Sequence, residues 1–204
     1  GGWGDQWQSA LWAAQVANAG WFLWNELSVS DRELVCRMLV HEADRFIDYD
    51  VPYYRDISDN IISEGDTKAE ENAWNSNILT IATAMMPHHE HHDRWMAKNV
   101  EMQISAYATP EDINKDTVVD GVKLNQILKG SNMNSNGTVI NHNILHPDYM
   151  TAFMHNAINV WIYELAGRNG LQSSLYNGAI IYNVLTELQF NGKTMYQKSN
   201  DGKA

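Results

Sequence analysis

Asp66-Thr67-Lys68-Ala69-Glu70-Glu71-Asn72-Ala73-Trp74-Asn75-Ser76-Asn77-Ile78-Leu79-Thr80-Ile81-Ala82-Thr83-Ala84-Met85-Met86-Pro87 is the stretch on which the fold turns. Asp66 or Thr67 can cap a helix here, and Glu70 can close a capping box. Ala73, Trp74, Asn77, Ile78, Ile81 and Met85 follow at helical spacing, and Pro87 ends the run. Apolar side chains occur nearly all round, so this helix is expected to lie buried between neighbours.

The same reading extends in both directions. A first helix is expected from about Asp5 to Leu27, with Trp7, Leu11, Ala14, Asn18 and Trp21 on one stripe and Trp12, Val16, Leu23 and Leu27 on a second. Ser30-Asp31-Arg32-Glu33 reads as the capping box of a second helix that stops by Pro52. Residues 53–65 read as a loop. A fourth helix carries Trp95, Asn99, Met102 and Tyr107. Thr109 to Asn143 is long, polar and rich in Gly and Asn, with at most a short helix near 121–128. Pro147 opens a fifth helix reaching Gly167, and a sixth runs from Leu171 to Phe190 before a polar tail that enters a turn or strand.

Strand signals hardly appear, so the expected class is all-α. Six helices give three antiparallel helical hairpins, which we expect to form part of an (α/α) toroid, an incomplete barrel. A plain helical bundle is the commoner alternative. The long loops between hairpins and the helices that are apolar on most sides favour the ring. Residues 1–204 are then a single helical domain, one portion of a larger toroid whose remainder lies on another chain, a fragment or an identical partner. Six helices alone would leave apolar hairpin flanks exposed.

Hydrophobic residues make up 44% of the 204, enough for a true core. The formal net charge is −11, which argues against nucleic acid as a partner because phosphate binding needs a basic face. The most apolar window, Ala10 to Trp24, is interrupted by Gln15, Asn18 and Gly20, so no membrane partner is expected. The start, Gly1-Gly2-Trp3, reads as a trimmed product. Cys36 is the one cysteine and excludes an internal disulfide. Acidic balance, few lysines, many Asn and Trp, and the sequon Asn136-Gly137-Thr138 fit a secreted bacterial enzyme.

The chemistry concentrates in Ile140-Asn141-His142-Asn143-Ile144-Leu145-His146-Pro147-Asp148-Tyr149-Met150, where a long polar loop enters a helix. An adjacent Asn and His suits β-elimination from a uronic-acid sugar. Asn141 can share the charge of the sugar carboxylate, and His142 can remove the acidified proton. An Asn-His pair leading into an inner helix resembles the motif of the helical-toroid polysaccharide lyases, the alginate-lyase and heparinase-like enzymes. The resemblance implies Asn141 as neutraliser, His142 as base and a tyrosine acid some fifty residues later, which is Tyr196; Tyr149 is the local alternative. Ile140 stands where that family has a further Asn, and Ile144 and Leu145 stand where it has aromatics.

A second candidate lies at the start of the quoted helix. Glu71, Trp74 and Asn75 share a face; an indole covers a sugar ring and a carboxyl protonates or orients it. Capping is the bland reading for Asp66 and Glu70. Trp3, Asp5 and Trp7 can form an equivalent rim, and His146 joins Trp74, Asn75, Trp3 and Trp7 as a substrate contact. His88-His89-Glu90-His91-His92 lacks the zincin spacing, because Asp93 occupies the place of the second histidine. No metal is assigned and no cofactor is required. Asp56, Asp59, Glu64 and Asp66 supply oxygens for a structural calcium ion, without the spacing of a helix-loop-helix calcium loop. The partner expected is a polysaccharide. Lyase chemistry is the first expectation, a glycoside hydrolase using Glu71 with Trp74 the second, and a non-catalytic carbohydrate-binding helical domain the third.

Overall fold

The computed structural model describes residues 4–190 and 195–197. It is a mostly helical domain with small open sheets. The helices are α1 (Ser9–Phe22), α2 (Val29–Asp44), α3 (Ala69–Met85), α4 (His92–Ala106), α5 (Leu124–Ile127), α6 (Pro147–Thr151), α7 (Met154–Leu165) and α8 (Gly178–Glu187). Eight short strands make four separate two-stranded antiparallel ladders: β1 (Arg55–Asp56) with β4 (Gly130–Ser131), β2 (Val118–Val119) with β3 (Val122–Lys123), β5 (Ile140–Asn141) with β6 (Ile144–Leu145), and β7 (Leu188–Phe190) with β8 (Met195–Gln197). These ladders correct the all-α expectation. Most lie in the segments that the sequence marks only as loops, where strands of two residues leave no alternating pattern to read.

The quoted helix sits where its composition requires. All of α3 is buried except Glu71 and Met85, and α1, α2, α4 and α7 pack on it. Such a helix needs small or apolar contacts on every side. α1 supplies them with an alanine face, Ala10, Ala13, Ala14 and Ala17. Further along α1, Gly20 faces Val35 of α2, whose methyls lie 3.2 and 3.3 Å from where a Cβ would stand. The core runs on through Leu39, Phe46, Ile78, Ile81, Trp95, Met102 and Ile104.

Several boundaries differ from expectation, each for a local reason. Asp5 does not cap α1; it has φ of 61° and faces His41 and Arg45 at 3.4 Å each. Ser28, not Ser30, caps α2, its Oγ accepting from the Asp31 N–H at 3.2 Å. Glu70 closes no capping box, and the Thr67 hydroxyl instead accepts from the Ala69 N–H at 3.3 Å. The fifth helix is broken at 152–153 into α6 and α7. The sixth begins only at Gly178, because Asn177 adopts a left-handed conformation and a single 3-10 turn, Ser173–Leu175, precedes it. That turn packs on α7, while α8 leans on α6. Two hairpins, α1–α2 and α3–α4, are therefore present as expected; the third is replaced by this looser arrangement, and no ring closes among the described residues.

Candidate functional site

The start of α3, the tip of the β5–β6 hairpin and the turn before α1 meet around a cleft of about 510 Å³. Trp7, Glu64, Gly65, Asp66, Lys68, Glu70, Glu71, Asn141, His142, Asn143 and Tyr149 line it. Glu71 of one sequence candidate thus meets Asn141, His142 and Tyr149 of the other, although Asn141 follows Glu71 by 70 positions in the chain.

Asn132 holds the walls together. Its Oδ1 accepts from the N–H groups of Tyr54 (2.8 Å) and Lys68 (3.2 Å), and its Nδ2 donates to the Ser105 carbonyl at 2.9 Å. The Thr67 hydroxyl donates to the Asn132 carbonyl at 2.7 Å. One buried amide therefore ties the loop before β1, the entry to α3 and the end of α4. Across the cleft, the Thr67 N–H donates to the Ile140 carbonyl at 2.8 Å, and the Asn143 N–H to the Gly65 carbonyl at 3.1 Å. His142 and Asn143 form the two-residue hairpin tip with φ of 51° and 62°, the left-handed pair that such a turn demands. A Cβ at Gly65 would lie 2.1 Å from Asn143 Oδ1 and the φ of 67° is one that glycine favours, so glycine suits this approach.

On the hairpin side, His142 Nε2 is 3.2 Å from the Tyr149 hydroxyl. His146 packs edge-on to Tyr149 with ring centroids 4.7 Å apart, and its Nδ1 is buried without a partner. Burial lowers the His146 pKa, with Asp148 opposing and His142 adding to the shift. Burial raises the Tyr149 phenol, and the Glu70, Asp66 and Asp148 carboxylates raise it further. Asn141 is buried, and its Nδ2 donates to Asp66 Oδ1 at 3.1 Å. The amide intended to neutralise a substrate carboxylate is already engaged by one from the protein.

On the α3 side, Tyr49 donates to Glu71 Oε1 at 3.1 Å, and burial together with Glu71 pushes the Tyr49 pKa up to about 12. Lys68 bonds Asp66 at 2.5 Å. Glu70 is only 7% exposed, and its Oε2 has no hydrogen-bond partner. Burial, reinforced by Asp66 and Glu71, raises its pKa to about 8, so Glu70 carries a proton at neutral pH. Trp7, 60% exposed, forms the rim and meets Trp74 edge-on at 5.1 Å.

Not every expected residue reaches the cleft. Trp74 is buried beneath Trp7, and Asn75 is buried and does not line the opening. Trp3 lies outside the described residues. The Tyr196 backbone pairs with Gln189 in the β7–β8 ladder, and its side chain lies outside what is described. Asp56 accepts from the Ser58 and Asn60 N–H groups, and Asp59 pairs with Arg55 at 3.5 Å, so these two serve a turn while Glu64 and Asp66 face the cleft. Among the described residues no group of three or more His, Cys, Asp or Glu is placed to hold a metal ion. In the histidine run, His91 bonds Asp44 at 2.8 Å and His89 stacks on Trp95.

In the sequence, Glu64 and Asp66 read as calcium ligands and Asp66 and Glu70 as helix caps, whereas Lys68, Tyr49 and Asn132 carry no signal. For Glu70 the signal was present: an acid one residue from Glu71 at a buried helix start is a cap or an active acid, and only the unmade capping box separates the two. No family model, no curated protein and no solved structure matches the chain.

Proposed function

We propose that the chain cleaves a glycosidic bond by acid–base catalysis at the Trp7–Glu70–Glu71 cleft, as a glycoside hydrolase acting on a neutral stretch of polysaccharide. The observation that carries this reading is the pair of neighbouring carboxyls in unlike surroundings: Glu70 shut away with an unpartnered oxygen, Glu71 reachable and held by Tyr49. Two carboxyls whose environments separate their protonation states are what glycoside hydrolysis uses. Glu70 donates the proton to the departing oxygen. Glu71 acts on the anomeric side, as base toward water or as nucleophile. Trp7 offers an apolar face to the sugar ring. A secreted enzyme built on part of an (α/α) toroid remains our reading of the architecture, with the two hairpins around α3 as its support.

Charge favours this reading over β-elimination. Glu64, Asp66 and Glu71 line the cleft with one lysine, Lys68, which is bonded to Asp66. A uronate carboxylate about 6 Å from another carboxylate meets roughly 3 kcal/mol of repulsion at an effective dielectric of 20. With Asn141 committed to Asp66, little in the cleft offsets that. The lyase reading keeps one observation in its favour, the His142–Tyr149 contact, which pairs a base with a phenol.

The test is a panel of neutral and uronate polysaccharides read two ways, by new reducing ends and by the ultraviolet absorbance of unsaturated uronate. Reducing ends without absorbance, lost about 100-fold or more in Glu70→Gln, are expected. Absorbance that disappears in His142→Ala and survives in Glu70→Gln transfers the assignment to the lyase.

A further inference from the structure

Two helix faces beside α3 stand uncovered and match one another. On α1, Trp12, Val16, Ala19 and Leu23 recur at i, i+4, i+7 and i+11, the last just past the helix end; on α7, Met154, Ile158, Trp161 and Leu165 repeat that spacing. Such spacing draws one straight seam along a helix. Both helices pack on α3 through other faces: Ala10, Ala13, Ala14 and Ala17 are buried on α1, and Asn156, Asn159, Ile162 and Tyr163 on α7. The seams face solvent, with Trp12 55% and Trp161 67% exposed. α1 has no ionisable side chain anywhere in Ser9–Phe22, and the α7 seam has none either. Beside that seam runs an apolar groove of about 480 Å³, lined by Met154, Ala157, Ile158, Val160, Trp161 and Leu175.

We propose that two copies of this chain associate, the α1 seam of each seated on the α7 seam of the other. The proposal is independent of the hydrolase reading. Three observations select a second copy as the occupant. An uncharged helix seam calls for an uncharged counterpart, and each copy carries one on α7 for the other's α1. Laid side by side in the same sense, the seams are complementary in size, with Ala19 level with Trp161 and Trp12 beside the groove. The area is also sufficient. Trp12, Val16, Phe22, Leu23, Met154, Ile158, Trp161 and Leu165 are 39–74% exposed; with aromatic side chains at 150–250 Å², they leave on the order of 900 Å² of apolar surface per copy. A standard interface needs about 800 Å² from each partner. If a two-fold axis relates the copies, the α1–α7 contact forms twice and the assembly closes at two.

Sedimentation equilibrium of the full 204-residue chain at micromolar concentration should return twice the chain mass. Trp12→Glu and Trp161→Glu should each weaken association by about 100-fold or more, as for central aromatic anchors, with the far-UV circular dichroism unchanged. If either loses its helical spectrum, Val16→Lys and Ile158→Lys probe the same two seams. The distinguishing result comes from mixing. A Trp12→Glu chain keeps its α7 seam and a Trp161→Glu chain keeps its α1 seam, so the equimolar mixture regains one intact contact and associates more tightly than either variant alone. A single-chain mass throughout, open-ended larger species, pairing indifferent to both substitutions, or no gain on mixing overturns the proposal.

Discussion

Along α3, the side chains from Ser76 to Thr83 and, Glu71 apart, those from Glu70 to Asn75 are comparably shut away from water, and they are equipped very differently. In the first group, Asn77 Nδ2 donates to the His155 carbonyl at 2.6 Å and to Asn159 Oδ1 at 2.8 Å, and Asn159 Nδ2 donates to Ser76 Oγ at 2.8 Å. Thr80 accepts from Asn99 at 2.9 Å, and the Thr83 hydroxyl lies 2.7 Å from that of Tyr163. Gln103 extends the network to Ser173 and Ser174. In the second group, Glu70 Oε2, Asn72 Oδ1, Trp74 Nε1 and Asn75 Oδ1 are buried without partners. Native interiors leave few such atoms. Four within six residues gather at the end of α3 whose Glu70 and Glu71 line the cleft. One half of the helix spends its polar groups on holding α4 and α7; the other keeps them available.

The sharpest break of that contrast is Asn77→Leu. It removes three contacts, including Oδ1 with His155 Nδ1 at 3.2 Å, and strands Asn159 in the interior. The expected loss is about 3–4 kcal/mol in urea unfolding, or about 6–16 °C in melting temperature for a chain of this size. Glu70→Gln comes next and depends on pH. The folded chain holds a proton on Glu70 up to about pH 8, whereas the unfolded carboxyl, near 4.5, has released it. The folded state therefore binds the extra proton between those values. This contribution to stability is whole below pH 4.5 and is lost as pH rises through 8. Glu70→Gln should flatten that slope and leave the variant more stable than the parent at pH 9, by about 3 kcal/mol after allowing for relaxation around the charge. An unchanged slope would mean that another group titrates there.

Much of this was legible before any coordinates, and the failures have causes. The all-round apolarity of α3 announced its burial, and Asn141, His142, Tyr149, Glu71 and Trp7 all reach the cleft. What stayed hidden is pairing across long separations. Nothing in Asp66 or Asn141 alone says that they bond across 75 residues and thereby remove the amide from substrate chemistry. The β5–β6 hairpin was hidden because its tip is His142-Asn143 rather than a glycine pair, leaving flanking strands of two residues each. The third hairpin failed at Asn177, a residue that tolerates the left-handed conformation without advertising it. Glu70 reads as a cap because a cap and a buried acid look alike in sequence; the unmade capping box and the burial that raises its pKa tell them apart.

Gly65→Ala probes the contact between the two sides of the cleft. Its φ is 67°, and the added methyl displaces the Asn143 amide. About 1–2 kcal/mol should be lost. Asn143→Gly in the same chain should return the part due to the clash and leave the backbone strain, a split that a double-mutant cycle reads directly.

The smallest effect is expected two residues from the largest. Asn75→Leu makes the same chemical change as Asn77→Leu, in the same helix and at similar burial. Its Oδ1 has no protein partner to lose. Replacing an unpaired buried amide with a hydrocarbon of like size removes a desolvation penalty along with the group. Stability should therefore shift by less than about 1 kcal/mol in either direction. Asn75's neighbour Glu71 lines the cleft, so any effect of Asn75 on the site should show as a changed affinity for oligosaccharide under conditions where the melting temperature is unchanged. Equal destabilisation by the two substitutions would show that Asn75 belongs to the structural half of α3 after all, and would move the boundary between scaffold and site one turn toward the helix start.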